Sequence, residues 1–188
     1  MPSKKSLNRG TRLKNQSSNV LTTCFVNPNA STLCSANPIN MYHIAIMKKS
    51  WGLIPKILDG RKKIESRWGI NKCSPWGKVK ANDIVYFKNS GEPVMIVANV
   101  SKIQEFENLN SKKVREILEK YGGDDGISVP NMEEIIKWAR RKHFCTLIYL
   151  EDPKKVKPFN IDKTGFGAGA AWISVSNIDK IKRPVNRS

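Results

Sequence analysis

From Met41 onward the chain alternates short β-rich runs with helical stretches, in an order too irregular for regular β–α crossovers. The runs are 43–47 (HIAIM), 62–68 (KKIESRW), 83–88 (DIVYFK), 94–100 (VMIVANV), 144–150 (FCTLIYL) and a last one near 171–175. A doubly wound sheet needs a crossover helix after nearly every strand, and most of these runs lack one. The pattern therefore predicts an α+β domain: a small mixed β-barrel with peripheral helices. The turn Asn89-Ser90-Gly91-Glu92 joins 83–88 to 94–100 as a hairpin.

Three helices are expected. Leu53, Ile54, Ile57 and Leu58 recur at helical spacing, with Ser50 available as cap, Pro55 near the first turn and Gly60 as stop. Val114, Ile117, Leu118 and Tyr121 form one face of a helix that Ser111 can cap and Gly122-Gly123 ends. Asn131 and Glu134 resemble a capping box for a third helix, with Met132, Ile135, Ile136 and Ala139 on one face. Arg140, Arg141 and Lys142 suit its negative end.

Residues 1–40 differ from all that follows. They are basic, rich in Ser, Asn and Thr, free of acids and without apolar periodicity. They read as a disordered basic N-terminal extension, or as an upstream segment ahead of a true start at Met41. An organelle-targeting peptide has the same composition and stays open as the alternative. The expected location is cytoplasmic, or organellar if residues 1–40 are a transit peptide. The domain itself spans 42–182, and 183–188 read as a basic tail.

Charge narrows the function. The chain carries 33 Lys+Arg against 16 Asp+Glu, a net +17. The excess is local: residues 48–80 hold ten basic side chains and only Asp59 and Glu65 as acids, whereas residues 102–134 are net acidic. Such polarity predicts a polyanionic partner, with RNA or nucleotide first. Trp51, Trp68 and Trp76 lie in the basic segment, where exposed indoles could stack on bases; Trp51 reads as core, and at least one of the other two is a candidate for exposure. No apolar run is long enough to span a membrane. Cys24, Cys34, Cys73 and Cys145 form no CxxC, and only His43 and His143 could join them, so no metal site is expected. No phosphate-loop or dinucleotide fingerprint occurs, and no cofactor is expected.

One motif is specific. Gly60-Arg61-Lys62-Lys63-Ile64-Glu65-Ser66-Arg67-Trp68 has the form GxKxxExR, preceded by Ile57-Leu58-Asp59. It is followed by Ser74-Pro75-Trp76-Gly77-Lys78-Val79-Lys80 and by the strand and turn 83–91. This ordered combination resembles the signature of ASCH domains, a branch of the PUA-like superfamily. The resemblance covers roughly 42–182 and implies a PUA-like barrel whose cleft beside the motif binds RNA or nucleotides. Bacterial acetylcytidine amidohydrolases resemble the chain at the same Gly-x-Lys start, which places their catalytic lysine on Lys62. Their catalytic threonine falls where Glu65 stands, so that activity does not carry over.

Read as an extended strand, the motif puts Lys63, Glu65 and Arg67 on one side and Lys62, Ile64 and Ser66 on the other. Glu65 and Arg67 can pair, bracing the barrel mouth or shaping a ligand site, and two lysines directly after a helix stop are poorly explained by packing. The expected RNA-binding set is Lys62, Lys63, Glu65, Arg67, Trp68, Lys78 and Lys80. The alternative is a small hydrolase acting on a modified nucleoside, or a ribonuclease, with Lys62 and Glu65 as the catalytic candidates. That alternative requires burial to lower a lysine pKa toward neutrality.

Overall fold

A computed structural model describes residues 40–128 and 132–185. The expectation for residues 1–40 therefore lies, but for its last residue, outside the described residues, as do the Asn131 half of the expected capping box and the end of the basic tail.

The chain runs β1 (Tyr42–Met47), a single 3-10 turn (Lys49–Trp51), α1 (Leu53–Leu58), β2 (Ile64–Gly69), β3 (Ile84–Asn89) and β4 (Val94–Phe106). Then come α2 (Ser111–Tyr121), α3 (Met132–Ala139), β5 (Phe144–Ile161), β6 (Trp172–Val175) and β7 (Lys182–Arg183). The strands make one sheet in the order β2-β5-β4-β3-β1-β6, with β7 added to the far end of β5. β1 and β3 are parallel, and every other pair is antiparallel.

β4 and β5 dominate this sheet. They span 13 and 18 residues and pair with register shifts at Val94/Ile96, Val97/Asn99 and Val100/Lys102. Each bulge adds twist and bends the strand. Repeated bulging along one ribbon curls the sheet until its two edges face each other. Among the described residues, no ladder closes the gap between β2 and β6. Instead Arg67 of β2 donates from Nη1 to the Ala171 carbonyl just before β6, at 3.2 Å. The architecture is an α+β, PUA-like curled half-barrel, the class that the sequence pattern predicts.

The expected strand 144–150 continues to Ile161. Its second half, beginning Glu151-Asp152-Pro153, is charged and contains proline, and Asp152 in it adopts φ 49°. That half is mostly solvent-facing and needs no apolar alternation.

The sheet buries both faces. Inside the curl, Ala45, Val85, Phe87, Ile96, Val100 and Ile148 pack with Ile54 and Ile57 of α1. Outside it, Ile64, Cys145 and Leu147 meet Val114, Ile117 and Leu118 of α2 and Ile136 of α3. A third group around Ile44, Phe159, Ile173 and Ile181 covers the other end. α2 is capped by Asn110, whose side chain accepts from the Lys113 amide at 2.9 Å; Ser111 is the first helical residue rather than the cap. α2 does end at Gly122. Among the described residues, no helix is long and apolar enough to cross a membrane.

Candidate functional site

The motif enters the sheet one step later than its alternation suggests. β2 starts at Ile64, so Lys62 and Lys63 precede the ladder. The Lys62 amide donates to the Lys56 carbonyl at 2.7 Å, closing the turn that follows α1. The Lys63 and Ile64 amides both donate to the Asp124 carbonyl, at 2.7 and 3.0 Å. These bonds dock the glycine-rich turn 122–126 beside the motif. Gly126 takes φ 78°, a left-handed conformation that favours glycine at this turn.

The docked turn delivers Asp125. Its Oδ1 lies 2.5 Å from Lys62 Nζ, and its Oδ2 accepts from Ser66 Oγ at 2.5 Å. Lys62 Nζ also donates to the Asp125 carbonyl at 2.8 Å and sits 3.1 Å from Glu65 Oε2. Glu65 Oε1 in turn is 2.9 Å from Arg67 Nη2. The side chains of Lys62, Glu65 and Asp125 are only 2, 6 and 7% exposed, and that of Arg67 is 18%. Two cations and two carboxylates thus form one buried chain of ion pairs. The Lys62–Glu65 contact, at 3.1 Å, is an ion pair. Glu65 Oε2 is left without a hydrogen bond, and so is Arg67 Nε.

Burial disfavours the Lys62 ammonium, but Glu65 and Asp125 outweigh it and hold the pKa above its ordinary value. Lys62 is therefore a charged, fully engaged ammonium, the opposite of the lowered pKa that base catalysis by this residue requires. Burial, reinforced by Glu65, pushes the Asp125 carboxyl up despite Lys62.

Above this cluster lies a cavity of about 670 Å³. Lys62, Glu65, Ser66 and Asp125 line it, with Arg67 and Trp68 to one side. Trp51 and Trp138 also line it, and they are 59% and 49% exposed. The expectation that Trp51 belongs to the core is thus overturned. The 3-10 turn ends at Gly52 in the left-handed region, and its indole stays in solvent. Trp68 and Trp76 are both half-buried.

Of the seven expected binding residues, the structure brings Lys62, Glu65, Arg67 and Trp68 to this cavity. Lys63 is exposed and faces Asp124 at 4.0 Å, outside the lining; Lys78 and Lys80 are exposed and outside it too. Lys62, expected on the opposite side of the strand from Glu65, bends back to meet it because residues 62–63 are not in the ladder. Sequence reasoning missed Asp125 and Trp138. The signal for Asp125 was an acidic pair bracketed by glycines, Gly122-Gly123-Asp124-Asp125-Gly126, which reads simply as a helix stop. Among the described residues, no cluster of His, Cys, Asp and Glu could hold a metal ion.

The mixed, bulged, curled sheet with a few outer helices defines the PUA-like class of half-barrel. Within that class the fold is ASCH-like. It is similar to the ASCH protein of Zymomonas mobilis, with TM-score 0.52 at 13% identity over 77% of this chain and 98% of that one. A tyrosine-to-phenylalanine variant of the same bacterial protein gives TM-score 0.51 at 14% identity, over 71% and 89% of the two chains. No family model matches the sequence, and no curated protein matches it significantly.

Proposed function

We propose that the chain is an RNA- or nucleotide-binding module that takes a nucleobase into the cavity above the Lys62–Glu65–Asp125 cluster. The observation carrying this reading is a cavity whose lining joins Glu65 and Ser66 to two exposed indoles, Trp51 and Trp138. A carboxylate in a cavity wall is an acceptor for a donor group on a ligand. The exocyclic amino group of a base is such a donor, and its flat ring suits the faces of Trp51 and Trp138. Lys62 then works through Glu65, holding the carboxylate in place. Arg67 and Trp68 form one wall, and Lys63, Lys78 and Lys80 supply exposed positive charge for the phosphates.

Trp51 and Trp138 give the cleanest test, since both are exposed and their loss leaves the core intact. Binding of a fluorescent single-stranded RNA is expected to weaken about tenfold in Trp51→Ala or Trp138→Ala, the scale of one lost base–aromatic stack. The dependence on salt should stay as in the parent chain. Unaltered affinity in both variants would overturn the reading.

A further inference from the structure

A second cavity, of about 400 Å³, abuts the first at Arg67 and Trp68, which line both. Its lining differs in kind. It contains no acidic residue; instead Trp68, Trp76, Phe144 and Trp172 contribute aromatic surface. Trp76 and Phe144 meet edge to face, with ring centroids 5.1 Å apart. Lys72 Nζ sits 5.4 Å from each of those two rings. Between the cavities stands the Arg67 guanidinium, 5.1 Å from the Trp172 ring centroid and tied by Glu65 and the Ala171 carbonyl.

Resting on the reading above, we propose that the unit recognised is a dinucleotide step of single-stranded RNA. One base enters the cavity holding Glu65, its neighbour enters the aromatic cavity, and the phosphate joining them meets Arg67. The chemistry of each part fits its place. The first cavity offers a hydrogen-bond acceptor and so distinguishes bases by their donors. The second offers ring faces without a charged acceptor, which any base can use. A planar cation held by Glu65 and the Ala171 carbonyl in the wall that both cavities share is the group expected beside a linking phosphodiester. Two bases one backbone step apart need two hollows that share a wall, and Arg67 with Trp68 is that wall.

The test needs no substitution in its first arm. Titration calorimetry on the full chain compares adenosine and cytidine monophosphates with the dinucleoside monophosphates built from them. Cys73, an exposed free thiol in the lining of the aromatic cavity, reports occupancy through its rate of alkylation, read by peptide mass. The best dinucleotide is expected to bind at least about tenfold tighter than the better mononucleotide, equivalent to about 1.4 kcal/mol. It should also slow alkylation of Cys73. In Trp76→Ala the dinucleotide advantage should fall below about threefold. If mononucleotides bind but dinucleotides bind no tighter and leave Cys73 equally reactive, the dinucleotide proposal is wrong and the single-base reading survives. If neither class binds, the nucleotide reading fails and this proposal falls with it.

Discussion

Replacing Lys62 with methionine keeps the length and apolar stem of the side chain and deletes only the ammonium. In the native chain that ammonium faces Asp125 at 2.5 Å and Glu65 at 3.1 Å, with both carboxylates more than nine-tenths buried. Removing one partner of a buried ion pair costs about 3–5 kcal/mol, because the other charge is stranded. Here Arg67 still serves Glu65 and Ser66 still serves Asp125, so the lower end, about 3 kcal/mol, is the expected loss. For a chain of this size that corresponds to a melting temperature lower by roughly 6–12 °C. The loss should depend on pH with a definite sign. Burial already holds the Asp125 carboxyl up, and losing the lysine raises it further. A carboxyl whose folded pKa lies above its unfolded value penalises folding above that folded pKa and is relieved on acidification. Urea unfolding at neutral pH and near pH 5 should therefore show the gap between Lys62→Met and the parent chain narrowing at the lower pH. Adding Asp125→Asn removes the stranded charge while leaving Ser66 an acceptor, and should recover at least half of the loss. A Lys62→Met chain within about 0.5 kcal/mol of the parent, the range of an ordinary surface change, would refute the argument that this lysine is structural charge.

Two further outcomes follow from groups elsewhere. His43 is fully buried, and its Nδ1 faces the indole N–H of Trp172 at 3.4 Å and Ser174 Oγ at 2.8 Å, so Nδ1 accepts and Nε2–H donates to Asp83 at 3.0 Å. Burial holds this imidazole below its ordinary value against the pull of Asp83, so its contribution is intact above the unfolded value near 6.5 and is lost as pH falls below it; His43→Gln should flatten the stability–pH curve between 7 and 5 relative to the parent. Changing Lys63, Lys78 and Lys80 together to alanine should leave urea stability within about 0.5 kcal/mol, since all three are exposed. The slope of log affinity for single-stranded RNA against log salt should drop by about 0.7 for each phosphate no longer neutralised, and an unchanged slope would remove these lysines from the interface.

The fold was legible in the sequence wherever burial imposed a period. β1, β3, the start of β4, α2 and the first half of β5 each carry an apolar face that meets a defined neighbour, and period follows from that meeting. The second half of β5 was illegible for the same physical reason. Most of its side chains face solvent, with Phe159 the buried exception; its pairing is made by backbone groups, which leave no mark on residue choice. Within the site, the Glu65–Arg67 pair could be read because two positions apart on a strand means the same face. Asp125 could not, because only the docking of the turn 122–126 against residues 62–64 brings it there. The outward turn of Trp51 is set by the left-handed Gly52 after it, a conformation that glycine permits but does not announce.

The basic motif and the basic surface do separate jobs, and the charge balance of the cluster shows why. Lys62 and Arg67 are met one for one by Asp125 and Glu65, so the heart of the GxKxxExR motif is electrically neutral. It cannot draw a polyanion from a distance, because its field cancels within a few ångströms. What it can do is hold a carboxylate out of water and in one orientation, because a counter-charge stands beside it. On the proposed reading, the attraction comes from lysines such as Lys63, Lys78 and Lys80, which are exposed. Binding should accordingly split into two separable components. Losing exposed lysines changes the salt dependence and leaves base preference alone. Disturbing Glu65, as in Glu65→Gln, replaces an acceptor that must be met by a donor with an amide that can offer either. Base preference should relax at constant salt slope, and a change in the slope instead would mean that the buried motif contacts phosphate directly.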